Sequence, residues 1–121
     1  MKEKDFEKQV KAFLKEQGCW VLKTWSNGIQ RKGVPDLLVC CNGWFLGIEL
    51  KNEKGKPSAL QLWNIEKIRE ADGVAIVLYP DQFENFKHMI KLLQTDNPIS
   101  YKIQYNFDRY NLTLIERFND D

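Results

Sequence analysis

Several things are scarce in this chain, and each scarcity closes a door. It has one histidine, His88, and three cysteines, Cys19, Cys40 and Cys41. An odd thiol count with no second Cys or His cluster completes no zinc site. The expectation is therefore buried, reduced cysteines and a surface histidine. No run of about 18 apolar residues occurs, so no transmembrane helix is expected. The opening MKEKDFEKQVKAF is charged and helical in pattern, without the apolar stretch of a signal peptide. The expected setting is the cytoplasm, whether the gene is cellular or phage-borne. Charge of one sign is missing too, since 18 Lys/Arg against 17 Asp/Glu leave a net +1. Nothing in that total announces a nucleic-acid partner. Internal repeats and low-complexity segments are also absent.

The charge present is unevenly placed. Residues 1–56 carry 11 basic against 7 acidic side chains, and residues 57–121 carry 7 against 10. The first part is thus +4 and the second −3, a hint of a basic face that a solvated helix could also produce. The composition, 43% apolar and 29% charged over 121 residues, is that of one ordinary globular domain.

Phe6, Val10, Phe13 and Leu14 recur at helical spacing, with Gly18 placed to end the helix. A strand candidate covers 19–25 and a basic, Gly-bearing loop covers 26–33. Two apolar runs flank Asn42-Gly43, and a second loop covers 52–57. A helix opens at Ser58, with Gln61 three residues later as a capping box, and stops at Gly73. VAIVLY (74–79) reads as a strand covered on both faces. A third helix follows, opened by a further capping box of Asp81 and Glu84. The tail alternates at Tyr101, Ile103, Tyr105 and Phe107, then at Leu112 and Leu114, as one or two edge strands would. The order is α-β-β-β-α-β-α with a C-terminal β extension. This is α/β: one domain spanning 1–121, with its core at about 3–96 and the extension at about 97–121.

The segment GVPDLLVCCNGWFLGIELK (33–51) poses a problem of charge. Asn-Gly between apolar runs signals a two-residue type I′ turn. Partners across such a turn sum to 85, so Cys41 faces Trp44, Val39 faces Leu46, Leu37 faces Ile48, and Asp36 faces Glu49. Alternation from the turn makes Asp36–Glu49 a non-hydrogen-bonded pair, with Cα atoms about 4.5 Å apart. Side-chain period puts Lys51 on the same face as Glu49. Taken singly, Pro-Asp is most often a turn, and Glu-x-Lys on a strand is most often a solvated ion pair. Neither strand alternates polar and apolar residues, however, and the charges occur only at the strand ends. Like charges directly opposite destabilise a sheet. One acid must hold a proton, or a cation must stand between them; Lys51 supplies one positive charge and a divalent metal would supply the rest.

Pro35-Asp36, a gap of twelve, and Glu49-Leu50-Lys51 resemble the signature of the PD-(D/E)xK nuclease superfamily. Glu7 in the first helix, Gly33-Val34-Pro35-Asp36, Ile48-Glu49-Leu50-Lys51 and Gln61 in the next helix resemble, in that order, its VRR-NUC and Holliday-junction-resolvase-like group. The match spans about residues 3–80. The resemblance implies a restriction-endonuclease-like domain, a central mixed sheet flanked by helices. It implies an endonuclease that hydrolyses DNA phosphodiester bonds with Mg²⁺, or Mn²⁺ in its place, selecting branched, nicked or junction DNA in repair or recombination. Asp36, Glu49 and the Leu50 main-chain carbonyl would ligate the metal. Lys51 would position a water and stabilise charge. Glu7 would complete the site, directly or through water, with Glu3 one helical turn earlier as the rival candidate. Gln61 is open between a site role and the capping box. DNA would approach over Lys23, Arg31 and Lys32 before the hairpin and Lys54 and Lys56 after it, contacts to phosphate that carry no sequence readout. Resolvase-like relatives suggest a homodimer. The competing expectation is a nuclease-fold DNA-binding module or subunit with little activity of its own.

Overall fold

A computed structural model describes residues 1–25 and 32–95. Arg31 and the expected β extension of 97–121 lie outside the described residues. Phe6, Val10 and Leu14 form the buried stripe of helix α1, Glu3–Glu16. Strand β1, Trp20–Lys23, is one of the two outer strands of a four-stranded sheet ordered β1-β2-β3-β4. β2, Leu37–Cys41, and β3, Trp44–Leu50, form the hairpin, and β4, Val74–Leu78, runs parallel to β3. The sheet is therefore mixed, as expected. Asn42 and Gly43 have φ of 51° and 83°, the paired left-handed values a type I′ turn demands. The register follows: Leu37 faces Ile48, Val39 faces Leu46 and Cys41 faces Trp44.

Helix α2, Ala59–Glu70, begins in the expected capping box. Ser58 Oγ accepts from Gln61 N at 3.1 Å, and Gln61 Oε1 accepts from Ser58 N at 2.8 Å. Its end differs in detail, because the left-handed residue is Asp72 (φ 67°) rather than Gly73. Gly73 is small for another reason: a Cβ there would stand 2.7 Å from the Ile68 side chain. Helix α3, Phe83–Leu93, lacks the Asp81–Glu84 capping box. Pro80 instead starts a 3-10 turn, Pro80–Gln82, that runs straight into the helix and leaves Asp81 inside the turn.

One sheet face carries Leu37, Val39, Cys41, Leu46, Ile48, Ile76 and Leu78 into a core with α1 and with Phe86, Met89, Ile90 and Leu93 of α3. On the other face α2 packs through Ile65 against Ala75, Val77 and Tyr79. One helix about 10 Å across covers roughly two strands spaced about 4.8 Å apart. Among the described residues, Trp20 and Leu22 of β1 and Phe45 at the start of β3 stay exposed on that face. The same openness corrects one thiol expectation: Cys19 and Cys41 are buried and reduced, but Cys40, cross-strand neighbour of Trp20 and Phe45, is exposed. His88 is exposed, and no described helix is long and apolar enough to cross a membrane.

Candidate active site

The charged residues collect at one end of the sheet, where β1 and β3 finish and β2 begins. Asp36 precedes β2 by one residue, and its backbone carbonyl accepts from Thr24 N at 2.9 Å. The Thr24 hydroxyl holds the preceding carbonyl, that of Pro35, at 2.8 Å. Gly33 brings this segment in: its φ is +81°, and a Cβ would stand 2.6 Å from Leu60 Cγ of α2. Asn64, buried at 2% exposure, donates to the Leu60 carbonyl at 3.1 Å and the Lys32 carbonyl at 3.5 Å. A helix and a glycine together thus fix where the Pro-Asp dipeptide lies.

Asp36 Oδ2 accepts from Leu50 N at 2.9 Å, which ties the carboxylate to the residue after Glu49. Glu49 is 1% exposed. Burial pushes its carboxyl up, the Asp36 charge pushes it further, and Lys51 only partly offsets them, so it rests at about 8. Lys51 Nζ stands 3.6 Å from Glu49 Oε2. Its stem packs along Gly55, whose carbonyl is pinned by the Tyr79 hydroxyl at 2.8 Å, so the loop after β3 helps to position the ammonium. The other oxygen, Glu49 Oε1, is buried without a hydrogen-bond partner. While ionised, neither carboxylate can donate to the other; a proton on Glu49 would be shared with Asp36.

From α1, Glu7 turns into the same end. Its Oε1 meets Lys23 Nζ at 2.6 Å and its Oε2 meets Lys11 at 3.4 Å. Burial alone would raise Glu7, but the Lys23 hydrogen bond and charge, with Lys11, hold it below the ordinary value. Glu3, one turn earlier, is raised by burial, and it feels Lys51, Asp36, Lys23 and Glu7. Both helix carboxylates therefore border the site. Lys23 also stands 3.9 Å from Asp36 Oδ1. Burial opposes its charge, but the hydrogen bond to Glu7, then Asp36, keep the ammonium protonated beyond its usual range.

Asp36, Glu49, Lys51 and Glu7 are thus brought together. Gln61 sits in the first turn of α2 with its side-chain oxygen engaged in the cap. Lys32, Lys54 and Lys56 are exposed on the flanking loops, whereas Lys23 is half-buried and engaged with Glu7 rather than open to a partner. Sequence reasoning missed the Lys23 bridge, the Asn64 anchor and the Tyr79 strut. Helix α2 has no clean apolar stripe for Asn64 to interrupt, since Leu60 and Trp63 are exposed, so none of the three left a trace in the sequence.

The donor set fits a hard divalent cation. Two carboxylates lie side by side, one with a buried oxygen in want of a positive partner. Among the described residues no group of three His, Cys, Asp or Glu forms a ready cage. A hard cation such as Mg²⁺ takes one or two carboxylates and fills the rest with water and phosphate.

A family model described as archaeal Holliday junction resolvase (Hjc) matches residues 1–118. Among solved structures the chain is similar to one titled VRR_NUC domain, with 30% identity and a TM-score of 0.60; the match covers 74% of this chain and 94% of that one. No curated protein matches it.

Proposed function

The chain belongs to the archaeal Holliday junction resolvase family, and from that premise we propose that it is a divalent-metal-dependent endonuclease acting on branched DNA in recombination or repair. The observation that carries the reading is the Asp36–Glu49 pair: two acids set together, Asp36 half-buried and Glu49 buried with an orphaned oxygen, beside Lys51. A module freed from catalysis has no reason to keep so costly a pair.

Asp36, Glu49 and the Leu50 carbonyl would hold Mg²⁺ or Mn²⁺, with Glu7 or Glu3 contributing from α1. Once bound, the ion would acidify a water and neutralise charge gathering on the phosphate under attack. Asp36 keeps its orientation through Leu50 N, so one oxygen remains directed at the site. Lys51, held by Glu49 and the loop at Gly55, would orient the attacking water and donate to the developing oxyanion. Lys32, Lys54 and Lys56 offer phosphate contacts along the approach, with Arg31 as a further candidate. Gln61 serves the helix cap and has only its amide group left for the substrate.

A homodimer belongs to the same reading. Resolving a symmetric four-way junction takes two cuts, and a twofold pair of chains supplies two sites. The exposed Trp20, Leu22 and Phe45 form apolar surface of the kind that self-association covers. The direct test is incubation of labelled single-stranded, duplex, nicked, flapped and four-way DNA with Mg²⁺, Mn²⁺ or EDTA. Metal-dependent cutting of the branched substrates is expected. Binding of branched DNA without cutting under any metal would instead establish the binding module.

A further inference from the structure

The site holds a cation of its own. Lys23, the last residue of β1, lays its ammonium 2.6 Å from Glu7 Oε1 and 3.9 Å from Asp36 Oδ1. The second contact is informative because of which oxygen it uses. Asp36 Oδ2 is committed to Leu50 N, so Oδ1 is the oxygen left to face a metal, and Lys23 stands at it. A divalent ion bound to Oδ1 at about 2.1 Å would lie no farther than about 6 Å from the ammonium, if Lys23 stayed in place. Glu7 would not be stranded if Lys23 moved, because Lys11 also reaches it at 3.4 Å. The side chain of Lys23 is 30% exposed, so its flexible four-carbon stem has open solvent to swing into.

We propose that Lys23 is a placeholder cation: it neutralises Glu7 and Asp36 in the metal-free protein, gives up Asp36 when a divalent ion binds, and then offers its ammonium to a DNA phosphate. The inference rests on the metal-dependent nuclease reading above. It makes Lys23 a positioning residue with two successive partners, and it couples metal loading to DNA grip. The protein would hold branched DNA more tightly once loaded.

The test uses the full chain with Mn²⁺ alone, without DNA, titrated by calorimetry. Wild type, Lys23→Met and Lys23→Arg are compared. When the ion binds, Lys23 must give up a unit-charge contact at 3.9 Å, which even with the full screening of water weakens ion binding about sixfold. Lys23→Met should therefore bind Mn²⁺ about sixfold more tightly, and Lys23→Arg, which keeps the charge, should stay near wild type. A Lys23 that does not compete with the ion predicts unchanged or weakened affinity, and either result overturns the inference. Wild type that binds no Mn²⁺ would overturn the metal reading itself, which separates the two failures. A second measurement reads the salt dependence of four-way-junction binding in EDTA and in Ca²⁺. Lys23→Met should lower the log–log slope by about one unit in Ca²⁺ and leave it unchanged in EDTA. An equal loss in both would mean that Lys23 already serves DNA in the metal-free protein, and the placeholder idea would fall. Should Lys23→Met fail to fold by circular dichroism, Lys23→Gln, which can still donate to Glu7, carries the same comparisons.

Discussion

Glu49→Gln should stabilise the metal-free protein, and by an amount that grows with pH. In the folded chain the Glu49 carboxyl keeps its proton to about 8, against 4.5 ordinarily. Between those values the folded state binds more protons than the unfolded one. The group's contribution is complete below about 4.5 and is lost as pH rises through about 8. Each unit is worth about 1.4 kcal/mol, so between about pH 5.5 and pH 8.5 wild type should lose roughly 3 kcal/mol relative to the variant. For a domain of this size that is on the order of 10 °C in melting temperature. The variant cannot ionise, and its amide can donate to Asp36, so its own melting should follow only the remaining groups. Those groups are shared with wild type and cancel in the difference. The assay is a pair of melts in EDTA at the two pH values, with each protein in the same buffer. A gap between wild type and variant that does not widen with pH would refute the picture of a protonated, buried Glu49. Saturating Mg²⁺ should shrink the gap at high pH, because the ion binds the folded wild type and replaces the missing proton.

Asp36→Asn should abolish cleavage and keep the fold, since the amide oxygen can still accept from Leu50 N; melts in Mg²⁺ should show less metal stabilisation than wild type, and an equal response would remove Asp36 from the ligand set. Lys51→Ala should leave metal binding nearly intact but cut the cleavage rate by about 10²–10³, the usual cost of one lost transition-state donor; single-turnover kinetics on four-way DNA decides it. Ser58→Ala should cost about 1 kcal/mol through the lost cap and leave the cleavage rate near wild type, whereas Gln61→Glu, able to close the same box, should cut normally unless Gln61 also serves the substrate. Trp20→Glu should leave a folded chain that runs as a monomer in light scattering; an unchanged mass would place any self-association elsewhere.

How much of this site was legible depended on turn length. A two-residue turn at Asn42-Gly43 allows one register only, so Asp36 and Glu49 can be paired by addition from the sequence, and β2 and β3 pair in that register. Lys51 followed from strand period, and Ser58-x-x-Gln61 announced its own cap. The pairing of β1 with β2 had no such arithmetic. Between Lys23 and Leu37 the connection is long, and many registers satisfy the same apolar pattern. Lys23 therefore read as one more basic residue before the hairpin, although its register with Leu37 turns it toward α1.

The same reasoning explains why the helix carboxylate stayed ambiguous. Glu3 and Glu7 lie one turn apart, so they share a helix face, and periodicity cannot rank them. What separates them is their company: Glu7 has two lysines within 3.4 Å, while Glu3 is raised by burial among mixed charges. A carboxylate already neutralised by Lys23 and Lys11 gains less from a metal than one pushed toward protonation. On the metal-dependent reading, Glu3 would be the acid with more to gain from a divalent cation, and Glu7 the one that holds Lys23. Helical spacing brings both acids to the site, and the lysines that arrive from β1 and from the next turn of α1 give the two their different surroundings.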